Sequence, residues 1–144
     1  ANATADWATW VHEAAHVVAA KSSNATFQGV SLDRSSPGLL IDQQEIDRLT
    51  SLEAATIAYS GAVGEAMILG EDDYELSTSD SNQLQRARER TRFTDLDGTA
   101  FQNSKAIIDA NRRQIQELAG GLAAISTFKN VASARFCIAV LEVE

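Results

Sequence analysis

Apolar residues recur at helical spacing in the first part of the chain. Within residues 4–22 they fall on one stripe of a helix with about 3.6 residues per turn. The stripe consists of Trp7, Trp10, Val11, Ala14 and Val18. Thr4 and Asp6 are suited to start such a helix, and Asn24 is suited to end it. The pattern therefore predicts a helix over 4–22.

Alternation replaces the helical spacing after this helix. Residues 27–32 alternate between apolar and polar side chains, and residues 39–41 form a second short apolar run. The intervening segment 35–38, S-S-P-G, is typical of a turn. Two short runs joined by a turn predict a small β-hairpin.

A second helical pattern covers residues 43–69, with a break near Thr50. Its apolar and small side chains at helical spacing are Leu52, Ala55, Tyr59, Ala62, Val63 and Ala66. Gly70 is suited to end a helix. The acidic and polar segment 71–78 that follows is predicted to be a loop.

The remaining sequence predicts two further helices. One begins at residue 79 or 80 and ends near residue 93, and the segment 95–98, D-L-D-G, is predicted to be a turn. A long helix is predicted over 99–119, weakened at Gly120 and Gly121 but extending as far as residue 124. Residues 131–143 are apolar enough for a buried helix or a strand, and periodicity does not separate the two.

These elements indicate a mainly α fold, with a small β-hairpin after the first helix. The 144 residues fit one domain with a single core. Neither internal repeats nor a change in composition marks a domain boundary. We therefore treat residues 1–144 as one domain.

Composition and net charge limit the classes of function that this chain can have. Hydrophobic residues make up 44% and charged residues 22%, as in ordinary globular domains. The formal net charge of −8 argues against nucleic acid as a partner, because phosphate binding needs a basic patch. The basic run over 86–92 is interpreted as a solvated helix face.

No apolar run reaches the roughly 20 residues that a membrane helix needs. Cys137 is the only cysteine, which excludes a disulfide framework and favours a cytoplasmic location.

The first predicted helix contains the sequence H-E-A-A-H at residues 12–16. Four residues along a helix bring His12 and His16 to one face, so that both imidazoles can reach one metal ion. Zinc accepts imidazole nitrogen, and in catalytic sites it keeps one position for water. Glu13 projects about 100° around the helix from His12, beside the metal rather than on it. This spacing predicts a zinc site with Glu13 as the general base.

A pair of ordinary core histidines is the alternative to a zinc site. These are the only two histidines in the chain, and the residues that share their face are uncharged. A zinc hydrolase usually has three protein ligands, so an Asp or Glu is expected as the third. The sequence alone leaves several candidates: Glu45, Asp47, Glu53, Glu65 and Asp80.

Several segments resemble the FtsH-type zinc metalloprotease domain, in the same order and at similar spacing. Residues 12–18, H-E-A-A-H-V-V, resemble its H-E-A-G-H-A motif, and residues 27–32 resemble the strand that follows. Residues 60–71, S-G-A-V-G-E-A-M-I-L-G-E, are similar to G-G-R-A-A-E-E-L-I-F-G-E. Residues 81–87, S-N-Q-L-Q-R-A, are similar to S-N-D-L-Q-R-A, with weaker likeness over 107–112. The resemblance implies a helical peptidase domain that uses Zn²⁺ to hydrolyse protein substrates. Because no ATPase is present to unfold them, we expect unfolded proteins or peptides as substrates.

The resemblance also bears on the third ligand. It implies the Asp of S-N-D-L, but this chain has Gln83 there, and a neutral amide is a poor zinc ligand. Asp80 lies one helical turn earlier and is therefore our expected ligand. The alternatives are that Asp80 only caps its helix, with Gln83 completing a capping box, or that Gln83 or another acid binds the metal. Glu65 matches a family glutamate, and either supports a ligand histidine or is simply solvated.

We therefore expect a zinc metalloendopeptidase with His12, His16 and Asp80 as ligands and Glu13 as base. No Walker motif is present, so the chain is either an excised protease domain or a stand-alone, ATP-independent relative. One alternative is an inactive metal-binding interaction module of the same fold, which Gln83 favours and Glu13 opposes. Another is an unrelated zinc hydrolase that shares only H-E-x-x-H. The oligomeric state stays open, a homo-oligomer included.

Overall fold

The computed structural model describes residues 3–33, 37–72, 74–127, 133–134 and 143–144. Within this part it has six helices and three short strands, so the predicted mainly α fold with a small hairpin is confirmed. In chain order the elements are α1 Ala3–Ser22, β1 Gly29–Ser31, β2 Gly38–Leu40, α2 Gln43–Arg48, α3 Ser51–Leu69, α4 Thr78–Glu89, α5 Leu96–Ala110, α6 Arg112–Ile125 and β3 Ser133–Ala134.

Helices α1 and α3 form the centre of the molecule. α1 packs between α3 and α6, and α3 also packs on α4 and α5. Trp10, Val11 and Val18 of α1 are buried in the main hydrophobic cluster. The α1–α3 contact is close because small residues meet there: a Cβ added at Gly64 would lie only 2.5 Å from Cβ of Ala15. This close approach brings one face of α1 directly against the backbone of α3.

The break predicted near Thr50 is confirmed, because α2 ends at Arg48 and α3 begins at Ser51. Thr50 accepts a hydrogen bond from the backbone N–H of Glu53, and the Glu53 side chain accepts one from the backbone N–H of Thr50. This reciprocal capping box starts α3. Gly70 ends α3 with φ of 72°, a left-handed conformation that glycine adopts without strain.

The strands form a small antiparallel sheet in the order β2-β1-β3. Val30 of β1 pairs with Leu39 of β2 on one side and with Ala134 of β3 on the other. In the described part of the sheet, β2 is therefore an edge strand. Residues 35 and 36 of the predicted turn, and most of the segment 131–143, lie outside the described residues.

The single long helix predicted over 99–119 is wrong. α5 begins at Leu96, inside the predicted turn, and ends at Ala110, and α6 starts at Arg112. Asn111 lies between them with φ of −127° and ψ of 25°. Its buried amide donates to the carbonyl of Ile107 and accepts from the backbone N–H of Glu144, at 2.8 and 3.0 Å. Side-chain bonds of this kind compete with the helical backbone pattern. The Gly120-Gly121 pair lies inside α6 without breaking it.

Helix α4 also ends earlier than predicted, at Glu89 instead of near residue 93. The guanidinium of Arg90, the C-cap residue, donates to the carbonyls of Asp47 and Leu49 at 2.7 and 2.8 Å. The end of α4 is thereby attached to the segment between α2 and α3. In the described part of the chain, no helix is long and apolar enough to cross a lipid bilayer.

Candidate metal centre

His12 and His16 lie one turn apart on the face of α1 that contacts α3. Their rings meet edge to face with centroids 4.7 Å apart, and the two Nε2 atoms are 3.1 Å apart. His16 is 5% exposed, and the side chain of His12 is 15% exposed. The helical spacing of H-E-x-x-H therefore places two imidazole nitrogens at one point, as expected from the sequence.

Asp80 reaches the same point from the first turn of α4. Its Oδ2 atom lies 3.0 Å from Nε2 of His12 and 3.1 Å from Nε2 of His16. The alternative in which Asp80 caps its helix is wrong, because Ser77 is the N-cap and its hydroxyl accepts from the backbone N–H of Asp80. The Asp80 carboxylate is thus free to face the two imidazoles.

Three outer groups fix the orientation of the imidazole rings. Nδ1 of His16 lies 2.8 Å from the carbonyl of Ile57 and 3.1 Å from the hydroxyl of Ser60. Since a carbonyl only accepts, Nδ1 of His16 carries a proton, which leaves Nε2 as the ring nitrogen that can bind a metal. Nδ1 of His12 lies 3.0 Å from Oε2 of Glu65, a contact with the same effect.

The electrostatics of the metal-free site follow from this geometry. Burial lowers the pKa of His12, but the hydrogen bonds to Asp80 and Glu65 and the charge of Glu13 outweigh burial and raise this pKa to about 10. Burial likewise raises the pKa of Asp80, but the charge of His16 and the hydrogen bonds from both histidines bring it well below its usual range. Without a metal, the proton on His12 therefore reduces the electrostatic repulsion between the electron-rich atoms that surround it.

The geometry of the three donor atoms fits a four-coordinate metal. Zinc–nitrogen and zinc–oxygen bonds of ~2.0–2.2 Å at tetrahedral angles place neighbouring donors roughly 3.3 Å apart. The observed separations are 3.0–3.1 Å. Gly61 of α3 provides space beside them: a Cβ added at Gly61 would lie 2.5 Å from Nε2 of His16 and closer still to Nε2 of His12. The missing side chain keeps this space clear.

Glu13 lies beside the donors and is only 5% exposed. A carboxylate oxygen of Glu13 and one ring nitrogen of each histidine lie within 4.8 Å of one another. This set of three could hold a metal by itself, but Asp80 is much closer to both nitrogens and is the better third donor. Burial raises the pKa of Glu13, and the nearby histidines only partly offset this effect. In the described part of the chain, the Glu13 carboxylate makes no hydrogen bond.

Gln83 is engaged away from the histidines. Its amide exchanges two hydrogen bonds with the amide of Gln43 on α2, at 2.9 and 3.3 Å. Other acidic candidates are also engaged elsewhere. Glu45 binds Arg48, Asp47 binds Arg86, and Glu53 belongs to the capping box of α3. Of the candidates that the sequence left open, the structure thus brings Asp80 to both imidazoles and Glu65 to the outer side of His12.

A cavity of about 950 Å³ opens over this site. Its walls come from α1, β2, α2, α3, α4 and the residues 71 and 75–77 that precede α4. Glu13 lies in the lining together with His12, His16 and Asp80. A group bound in the cavity would therefore contact the candidate metal site and the candidate base together.

Comparisons of the chain with protein-family models, with curated proteins and with solved structures found no match. The likeness to FtsH-type metalloproteases therefore rests on the sequence motifs, and the family assignment stays a prediction.

Sequence reasoning missed three contributors to the site: Ile57, Ser60 and Gly61. Ile57 acts through its backbone carbonyl, which has no signature in the sequence. Ser60 and Gly61 lie in the segment that resembles the family, and two successive small residues inside an apolar helix are a signal of close packing. What packs against Gly61 is decided by the contact between α1 and α3.

Proposed function

We propose that this protein is a zinc-dependent metallopeptidase that hydrolyses peptide bonds in unfolded proteins or peptides. One observation carries the proposal: Nε2 of His12, Nε2 of His16 and Oδ2 of Asp80 converge within 3.0–3.1 Å, beside the buried carboxylate of Glu13. Two imidazoles and one carboxylate form a common donor set of catalytic zinc sites.

Each residue of the site then has a defined task. His12, His16 and Asp80 hold the ion, while Glu65 and the carbonyl of Ile57 keep the two rings in the metal-binding tautomer. When bound, zinc supplies Lewis acidity that polarises the scissile carbonyl and lowers the pKa of a coordinated water. The chain itself supplies the orientation of the donors and the removal of the proton.

Glu13 is suited to move this proton. It is adjacent to a donor histidine, faces the cavity and has no hydrogen-bond partner in the described part of the chain. Burial raises its pKa, which brings it closer to the operating pH, as general acid–base catalysis requires. In the proposed reaction Glu13 accepts a proton from the attacking water and delivers it to the leaving amine.

The cavity also offers a way to position an extended peptide. Gly38 and Leu39 of β2 contribute to its lining, and β2 is an edge strand in the described sheet. An edge strand presents unpaired backbone N–H and C=O groups, to which an extended segment can add as a further strand. A folded substrate offers no such segment, so we expect unfolded substrates.

Glu13→Gln tests the proposal, because it keeps the shape of the side chain and removes the base. We expect this variant to bind zinc and unfold like the parent, while hydrolysis of a denatured protein falls about 10²–10⁴-fold. Peptide release is followed by mass spectrometry, and zinc content by elemental analysis. The control is His12→Ala, which should lose both zinc and activity.

Two results would contradict the proposal. If the fully zinc-loaded parent cleaves neither denatured protein nor a diverse peptide library, the chain is a metal-binding interaction module instead. If Glu13→Gln keeps full activity, Glu13 is not the base and the mechanism is wrong.

A further inference from the structure

The cavity over the candidate metal site has an acidic character. Besides the donor set and Glu13, it is lined by Glu65, Glu71 and Glu75, and none of the described lining residues is Lys or Arg. The carboxylates of this lining outnumber the positive charges that zinc or a protonated histidine would bring, and an excess of one sign attracts ligands of the opposite charge. The lining therefore favours cationic groups over anionic ones.

Two of these acids differ from several acids elsewhere on the surface. Asp47, Asp97 and Glu117 each pair with an arginine. The exposed side chains of Glu71 and Glu75 make no hydrogen bond or ion pair with another described residue. Their charges are consequently available to a ligand, whereas those of the paired acids are already compensated within the fold.

The cavity differs in character between its two ends. Towards the start of α3 it is lined by Ala54, Ile57 and Ala58, with Ile46 of α2 nearby. Towards the end of α3 it is lined by Glu65. Ala54 and Glu65 are eleven positions apart, which corresponds to roughly 16 Å of helix. That length accommodates about five residues of an extended peptide at ~3.3 Å per residue.

The position of Glu13 independently indicates that the cavity binds a ligand. Glu13 is only 5% exposed, has no hydrogen-bond partner in the described chain and lines the cavity, so its carboxylate is available to a group bound there. Glu13 thus belongs to the same lining as Glu71 and Glu75. Glu71 and Glu75 therefore line the same cavity as a buried carboxylate that has no hydrogen-bond partner in the described chain.

We propose that this cavity selects peptide segments with a Lys or Arg side chain close to the scissile bond, and that Glu71 and Glu75 bind this basic side chain. The inference rests on the proposed peptidase function and specifies its substrate class. The basic group is bound at the acidic end of the cavity, so it lies on a fixed side of the scissile bond. Because exposed ion pairs contribute modestly, we expect a preference of about 3- to 10-fold in kcat/KM.

The test begins by mapping the bonds that the zinc-loaded protein cleaves in a denatured protein, using mass spectrometry. We expect Lys and Arg to be enriched on one side of the cleaved bonds. The best-cleaved peptide is then synthesised with Lys, Gln or Glu at the enriched position, and kcat/KM is measured for each. The order should be Lys, then Gln, then Glu, with the difference shrinking at high salt.

The double variant Glu71→Gln/Glu75→Gln should lose the preference for Lys, so that it cleaves the Lys and Gln peptides with similar kcat/KM. The matched control is Glu89→Gln/Glu117→Gln, which changes the net charge equally on residues outside the cavity lining and should keep the preference. A preference that is absent, or that survives in the first variant, overturns this inference and leaves the peptidase function standing. Failure to cleave any peptide overturns the peptidase function itself, so the two failures are distinguishable.

Discussion

Oδ2 of Asp80 lies 3.0 Å from Nε2 of His12, although the two residues are 68 positions apart in the chain. The contact depends on α4 packing against α3, which places the first turn of α4 over the histidine face of α1. Gln83, one turn further along α4, instead contacts Gln43. The carboxylate that the resemblance implies at position 83 thus has a counterpart at position 80.

Asp80→Ala should therefore weaken zinc binding strongly. It removes one of three donor atoms, so we expect a loss greater than the roughly 10–100-fold typical of outer partners of metal ligands. Gln83→Ala is the control, because its amide faces α2, and it should bind zinc like the parent. Competition with a chromophoric chelator measures both affinities. The opposite result, with Asp80→Ala unaffected and Gln83→Ala impaired, would assign the third ligand to Gln83.

Gly61→Ala should block the metal site without unfolding the protein. The added methyl group would occupy the space beside both Nε2 atoms and displace the imidazole rings from their convergent position. We expect zinc content after dialysis to fall from about one per chain to near zero. Gly120→Ala is the matched control: its new methyl group meets nothing within 4 Å, so it should keep zinc and gain about 0.4–1 kcal/mol of stability. Stoichiometric zinc in Gly61→Ala would contradict the site geometry.

Glu65→Ala should weaken zinc binding less than loss of a donor atom. Glu65 accepts from Nδ1 of His12 and so fixes the tautomer that leaves Nε2 available. Loss of such a partner typically costs 10–100-fold in metal affinity, and we expect about this effect. Glu89→Ala, at the exposed end of α4, provides a control with the same change in net charge. Identical affinities for the two variants would show that Glu65 is merely solvated.

Zinc affinity should rise with pH between about 6.5 and 8.5. The pKa of His12 in the metal-free protein is raised to about 10, so its imidazole carries a proton throughout this range. Zinc needs the lone pair on Nε2, and binding must therefore release this proton. The expected slope is up to about tenfold in affinity per pH unit. Calorimetric titration in two buffers with different ionisation enthalpies measures the released proton, and a pH-independent affinity would contradict the assignment.

Local features of the sequence determined most of the helices and the pairing of the two histidines in the candidate site. The pairing of His12 with His16 follows from four-residue spacing on one helix, and the start of α3 follows from Thr50 and Glu53. Both depend on residues within one turn of each other, where backbone geometry alone sets the distances. The break at Asn111 escaped prediction because its amide accepts from the backbone N–H of Glu144, 33 positions away.

The rest of the site was decided by tertiary packing. The sequence offered several acids as the third donor and the resemblance favoured Asp80, but it is the packing of α4 on α3 that brings the Asp80 carboxylate to both imidazoles. The role of Gly61 likewise exists only because α1 and α3 approach closely enough for a missing side chain to matter. Contacts between distant segments depend on the relative position of whole helices, which the hydrophobic pattern of each helix does not specify. The sequence by itself thus determined which residues face the same side of a helix, and the tertiary structure decided which helix faces meet.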